Sequence, residues 1–169
     1  MISHLDHLVL TTANEAACVD FYTRILGMTL ETFIGGTPPV ERKAFKFGVQ
    51  KINLHIKGSE FEPKAHVPTP GSLDLCFIST LPLQAIVDRM GECQRPIIEG
   101  PVMRTGATGR IRSIYLRDPD CNLIEIAERL GTFVLQLLVN EKTPREALNK
   151  PSHRRKPVSS AMILLDSGV

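Results

Sequence analysis

His7, His55, Asp74 and Glu125 are the side chains of this 169-residue chain best placed to do chemistry together. Each falls within or at the edge of an aliphatic, β-branched run that reads as a strand, where an inward polar residue needs a reason. Their spacing is regular. His7 and Asp74 lie 67 positions apart near the starts of two such runs, and His55 and Glu125 lie 70 apart in two others. Two imidazoles and two carboxylates make a sound ligand set for a borderline or hard divalent cation with open or water-filled positions. Ni, Zn, Mn, Co and Fe(II) all suit it. A slip in the turn alignment puts Asn53 in place of His55; the two share a strand face, so either can reach inward.

A second group of residues could hold a ligand. Arg104 opens the stretch Arg104-Thr105-Gly106-Ala107-Thr108-Gly109, which reads as a loop between two strands. Its guanidinium offers a bidentate anion contact and its glycines permit close backbone approach. Tyr115 and Arg117 alternate on the strand that follows. With Arg104 they are the expected substrate contacts. The glycine spacing fits neither a Walker A loop nor a dinucleotide fingerprint, so nucleotide binding is unsupported. The chain has no GxSxG elbow, which makes nucleophilic hydrolysis a poor reading.

The elements that must position these residues are written twice. Leu5–Leu10 reads as a strand, and Thr12 opens a helix with Glu15 as capping-box partner. Cys18, Tyr22 and Ile25 give that helix an apolar stripe, and Gly27 stops it as a left-handed C-cap. Strand-like runs follow at Met28–Phe33, Ala44–Gly48 and Lys51–Ile56. The second copy has a strand at Leu73–Ile78, then a helix opened by Thr80. Strands at Pro96–Gly100, Arg112–Arg117 and Asn122–Ala127 follow, the last two joined by the turn Asp118-Pro119-Asp120-Cys121. The expectation is an α+β domain, residues 3–128, of two βαβββ modules (3–58 and 71–128) whose paired sheets enclose a cleft. Residues 129–169 read as a C-terminal extension, partly unstructured.

Composition narrows the function classes. The chain is 43% apolar, too much for a disordered protein. No run approaches the ~18 apolar residues of a membrane helix, so no membrane partner is expected. The opening Met1–Asp6 has no secretory pattern, and the expected location is the cytoplasm. Cys18, Cys76, Cys93 and Cys121 form no CxxC pair and read as reduced, buried small hydrophobes. The net charge of +2 belongs to the tail: residues 1–128 carry 13 basic and 15 acidic side chains, residues 129–169 carry 7 and 3. The domain therefore shows no basic footprint for nucleic acid.

The opening Leu5-Asp6-His7-Leu8-Val9-Leu10, the helix end Phe21-Tyr22…Leu26-Gly27 and the closing Asp118-Pro119-Asp120-Cys121-Asn122-Leu123-Ile124-Glu125 resemble the vicinal oxygen chelate superfamily. That superfamily includes glyoxalase I, bleomycin-resistance proteins and extradiol dioxygenases, and the resemblance covers about residues 3–128. Gly71–Asp74 and Gly100–Ala107 look most like its glyoxalase-domain-containing subgroup. His7 and Glu125 match the family's metal positions. Asp74 stands where the metalloenzymes usually have His, and His55 where glyoxalase I often has Glu or Gln. The resemblance implies a divalent-metal enzyme acting on a small molecule with vicinal oxygens, by glyoxalase-like lyase or isomerase chemistry. Glu125 would be both ligand and base. A homodimer is implied, since a second subunit often completes the cleft in relatives. The rivals are an extradiol dioxygenase, against which Asp74 counts, and a metal-free module that sequesters a small toxic compound.

Overall fold

The computed structural model describes residues 1–131, so the expectations for the tail lie almost wholly outside the described residues. Eight strands form two four-stranded sheets. The first module runs β1 (His7–Thr12), α1 (Glu15–Asp20), β2 (Thr29–Gly35), β3 (Val40–Phe47) and β4 (Gln50–Ile56). The second runs β5 (Asp74–Ile78), α2 (Leu83–Glu92), β6 (Glu99–Gly106), β7 (Gly109–Arg117) and β8 (Leu123–Arg129). The strand orders are β1-β4-β3-β2 and β5-β8-β7-β6, the same circuit executed twice. In each sheet the first and last strands of the module pair parallel, and every other pairing is antiparallel.

Alternation along the strands decides what each sheet face does. One face of the first sheet presents Leu10, Phe45, Ile52 and Leu54; one face of the second presents Ile114, Leu116, Ile124 and Ile126. These residues share a single core with Cys18, Phe21, Tyr22 and Ile25 from the α1 segment and Leu83 and Met90 from α2. The two modules thus meet through their helix-covered faces. At that junction the Asp118 carboxylate is buried and accepts the Tyr22 hydroxyl at 3.0 Å. It also accepts Asn122 Nδ2 at 2.7 Å and the N–H groups of Asp120 and Asn122 at 3.0 and 2.8 Å. Asp120 in turn accepts from Thr12 Oγ1 and from the Ala13 N–H.

Several element boundaries differ from the sequence reading. Thr12 does not open the first helix: it is the buried last residue of β1, committed to Asp120, and Asn14 caps the helix by accepting the Ala17 N–H at 3.1 Å. The helix then widens to a π-helical turn over Phe21–Ile25 before Gly27 ends it at φ +76°. The second helix starts at Leu83 after Pro82. Its first N–H is satisfied by Glu128 of β8 rather than by a local cap. The strand expected at Pro96–Gly100 lies later, at Glu99–Gly106, so Arg104 belongs to a strand and only the short turn before Gly109 is loop. The cysteines also divide. Cys18 is buried, Cys93 half-buried, and Cys76 and Cys121 are exposed, because Cys76 points off the open face of β5 and Cys121 sits in the β7–β8 turn.

Candidate functional site

The candidate site residues lie on the faces turned away from the core. Register places His7, Val9, Lys51, Asn53, His55, Ala44 and Arg42 on the open face of the first sheet. It places Asp74, Cys76, Glu125, Tyr115, Glu99 and Arg104 on the open face of the second. His7 pairs with Lys51 and Asp74 with Leu123, so two residues further along β4 and β8 stand Asn53 and Glu125. Asn53, not His55, is therefore the register equivalent of Glu125. His55 lies four residues beyond the partner of His7, about 13 Å along the strand, and corresponds to Ala127. The turn before β8 is longer than the one before β4, and counting along the sequence could not show which side of it the extra residue fell.

Each half-set is prepared differently. The Asp6 carboxylate lies 2.7 Å from His7 Nδ1 and fixes that nitrogen as the donor, leaving Nε2 with its lone pair for a ligand. The same hydrogen bond holds the Asp6 carboxyl below its ordinary range. Asn53 Oδ1 and Glu125 Oε1 are both buried without a hydrogen-bond partner. Two such orphans at matched positions in the two modules are unusual, because an unpartnered buried acceptor costs about 1–3 kcal/mol. Around Glu125 stand the Tyr115 hydroxyl and the Cys76 thiol, its cross-strand neighbours. Burial raises the Tyr115 pKa, the Arg104 hydrogen bond opposes that rise, and the Glu125 carboxylate adds to it. Burial and then Glu125 push the Cys76 thiol up to about 11.

The three expected substrate contacts separate. Arg104 Nε donates to the Tyr115 hydroxyl at 3.0 Å and its Nη2 pairs with Glu99, holding the tyrosine that is the cross-strand neighbour of Glu125. Arg117 is exposed and donates to the Cys121 carbonyl at 3.1 Å, bracing the β7–β8 turn. His55 is buried, its Nδ1 unpartnered, with its ring edge-on to Phe61 at 5.5 Å. Burial, followed by the Arg42 charge, lowers the His55 pKa.

Among the described residues, no three His, Cys, Asp or Glu side chains converge within one chain. The larger cavity, about 930 Å³, is lined by Met28, Phe47, Cys76 and Ile78 and holds none of the four expected ligands. The donors' chemistry nevertheless fits a divalent cation: one oriented imidazole, two carboxylates and an amide oxygen, with two of those oxygens orphaned. They are held as two pairs, His7 with Asn53 and Asp74 with Glu125, on separate faces.

A twice-written βαβββ fold with donors on its open faces defines a class of protein, and the chain belongs to it: residues 4–126 match the Glyoxalase/Bleomycin resistance protein/Dioxygenase superfamily. Within that superfamily it is 52% identical over 128 residues to virulence protein STM3117 of Salmonella typhimurium, covering 76% of this chain and 85% of that one. The crystal structure of STM3117 superposes with a TM-score of 0.72 at 51% identity, over 77% of this chain and 99% of that one. The chain is also 52% identical over 126 residues to the glyoxalase domain-containing protein RDO1 of Mycosarcoma maydis, covering 75% of this chain and 68% of that one. A lactoylglutathione lyase from Agrobacterium tumefaciens shares the fold at 21% identity and a TM-score of 0.56, over 76% of this chain and 95% of that one. No helix among the described residues is long and apolar enough to cross a membrane.

Proposed function

We propose that this chain is a divalent-metal-dependent enzyme acting on a small molecule with two adjacent oxygens, by glyoxalase-like lyase or isomerase chemistry. It works as a homodimer. The open face of the first module of one copy meets the open face of the second module of the other, so His7 and Asn53 join Asp74 and Glu125. The observation that carries this reading is the pair of orphaned oxygens, Asn53 Oδ1 and Glu125 Oε1, at equivalent register positions. A cation bound there would act as a Lewis acid on the substrate's vicinal oxygens. Glu125 would take the proton from the carbon beside them, and the Tyr115 hydroxyl, held by Arg104, would steady the carboxylate through that transfer. Asp6 would keep the His7 ring turned with Nε2 forward.

The test is metal uptake by the full chain. Wild type should gain about 2.7 kcal/mol of stability at a hundredfold excess of Mn, Ni, Zn, Co or Fe(II) over Kd. His7→Ala and Glu125→Ala should each lose that gain. Refolding the two variants together should restore about a quarter of the metal content, because only mixed dimers own one intact site. A wild type that takes up no divalent metal refutes the enzyme, and a metal-free ligand-sequestering protein takes its place. Metal uptake with no recovery on mixing refutes the shared site.

A further inference from the structure

The open face of the first sheet holds a cavity of about 90 Å³ beside the His7–Asn53 pair. Arg42, Lys51, Asn53 and His55 line it, and Phe33 and Phe61 wall it. The Arg42 guanidinium lies over the Phe61 ring at 4.5 Å and Lys51 Nζ over the Phe33 ring at 4.7 Å. Three polar atoms here are buried and unpartnered: Arg42 Nε, Asn53 Oδ1 and His55 Nδ1. His55 is itself 7% exposed, so water does not serve it freely.

Arg42 and Lys51 differ from several other cations on the sheets, which are ion-paired. Lys43 pairs with Glu15, Lys46 with Glu31, Arg104 with Glu99 and Arg112 with Glu128. Arg42 and Lys51 have no carboxylate within ion-pair distance among the described residues. Glu60, which reaches His55 electrostatically, is already held by the Gly58 N–H at 2.9 Å and by Lys64 at 3.4 Å. The chain also makes room for the guanidinium. A Cβ at Gly36, in the turn before β3 at φ +86°, would stand 2.6 Å from Arg42 Nη2.

We propose that this pocket binds an oxyanion, a carboxylate or a phosphate carried by the substrate, through Arg42 and Lys51. Phe33 and Phe61 exclude water and hold the two cations in place, which strengthens their attraction for the anion. Arg42 lies two residues along β3 from Ala44, the cross-strand partner of Asn53. That puts the Arg42 backbone about 8 Å from Asn53, given a strand spacing near 4.8 Å and ~3.3 Å per residue, and Asn53 itself lines the pocket, so the anion would sit beside the donor pair. Resting on the proposed function, this narrows the substrate to a small molecule whose anionic group lies a few bonds from its two adjacent oxygens.

Metal-free full-length protein, treated with a chelator, is titrated with benzoate, inorganic phosphate and the neutral benzamide in ligand-observed NMR and calorimetry. Benzoate or phosphate should bind in the millimolar range, with benzamide at least tenfold weaker. Arg42→Gln and Lys51→Gln should each weaken the anion at least fivefold. Arg110→Gln, an equal loss of charge at an exposed site in the second module, should not weaken it. Circular dichroism confirms the fold of each variant. Absence of binding by both anions at 20 mM overturns the proposal, as does equal binding of benzamide. Unchanged affinity in both Arg42→Gln and Lys51→Gln overturns it too. Mn uptake is measured separately on the same variants. Anion binding without metal uptake sinks the metal enzyme and leaves this pocket standing; metal uptake without anion binding does the reverse.

Discussion

Replacing Tyr22 with Phe should destabilise the domain by about 2 kcal/mol, although the aromatic ring stays. The ring is fully buried, edge-on to Phe21 at 5.2 Å and stacked on Phe45 at 4.9 Å, and none of that packing involves the hydroxyl. The hydroxyl crosses from the first module to the second and donates to Asp118 at 3.0 Å. Burial, reinforced by the Asp118 charge, raises the Tyr22 pKa, so the phenol stays a donor throughout the working pH range. A hydrogen bond to a charged group contributes about 1.5–3 kcal/mol. Asp118 keeps three other donors in the variant, so no charge is orphaned and the loss belongs near the lower end. For a domain of this size about 2 kcal/mol lowers Tm by roughly 6–10 °C. The chain has no Trp, so the unfolding curve is followed in urea by circular dichroism, alone and in a cycle with Asp118→Asn. A loss below about 0.5 kcal/mol, or strictly additive losses in the cycle, refutes the hydroxyl's role in joining the modules.

Cys76 presents an exposed residue surface, but its thiol is partly covered beside Glu125, and that partial burial, then the Glu125 charge, raises its pKa to about 11, so it should be a sluggish thiol. At pH 8 it should react with iodoacetamide about tenfold or more slower than the exposed Cys121, and Glu125→Gln should narrow the gap. Timed labelling read by mass spectrometry decides it, and equal rates in wild type refute it. His55 gives a pH dependence. Its folded pKa is lowered by burial and then by Arg42, so between that value and the ordinary 6.5 the unfolded chain binds more protons. Stability is therefore complete above about pH 6.5 and declines as the pH falls through the window below it. His55→Gln should flatten the urea midpoint between pH 7 and 5.5; an unchanged slope counts against the assignment.

The fold was legible because duplication repeats its own signal. Two strand–helix–strand patterns, each closed by apolar runs, define two modules even where single boundaries drift. The drift has physical causes. Thr12 was free to cap a helix as far as local sequence goes, but Asp120, 108 positions away, holds it in a strand. Glu128 likewise replaces a local cap on α2 from another strand. In the site, His7 and Glu125 stand out as polar residues in apolar runs. Register, which counting cannot see, moved the match from His55 to Asn53. The pocket at Arg42 was missed because cross-strand register, not sequence spacing, brings Arg42, Lys51 and His55 together beneath Phe33 and Phe61.

The Tyr22–Asp118 and Thr12–Asp120 links hold two modules, and they also fix an angle between two unlike faces. A subunit with unlike complementary faces closes into a ring only when the rotation between them fits; otherwise head-to-tail addition continues into an open filament. On the homodimer proposed above, these links would therefore govern stoichiometry as well as cohesion, and loosening them would turn a sealed pair into a chain free to recruit a third copy.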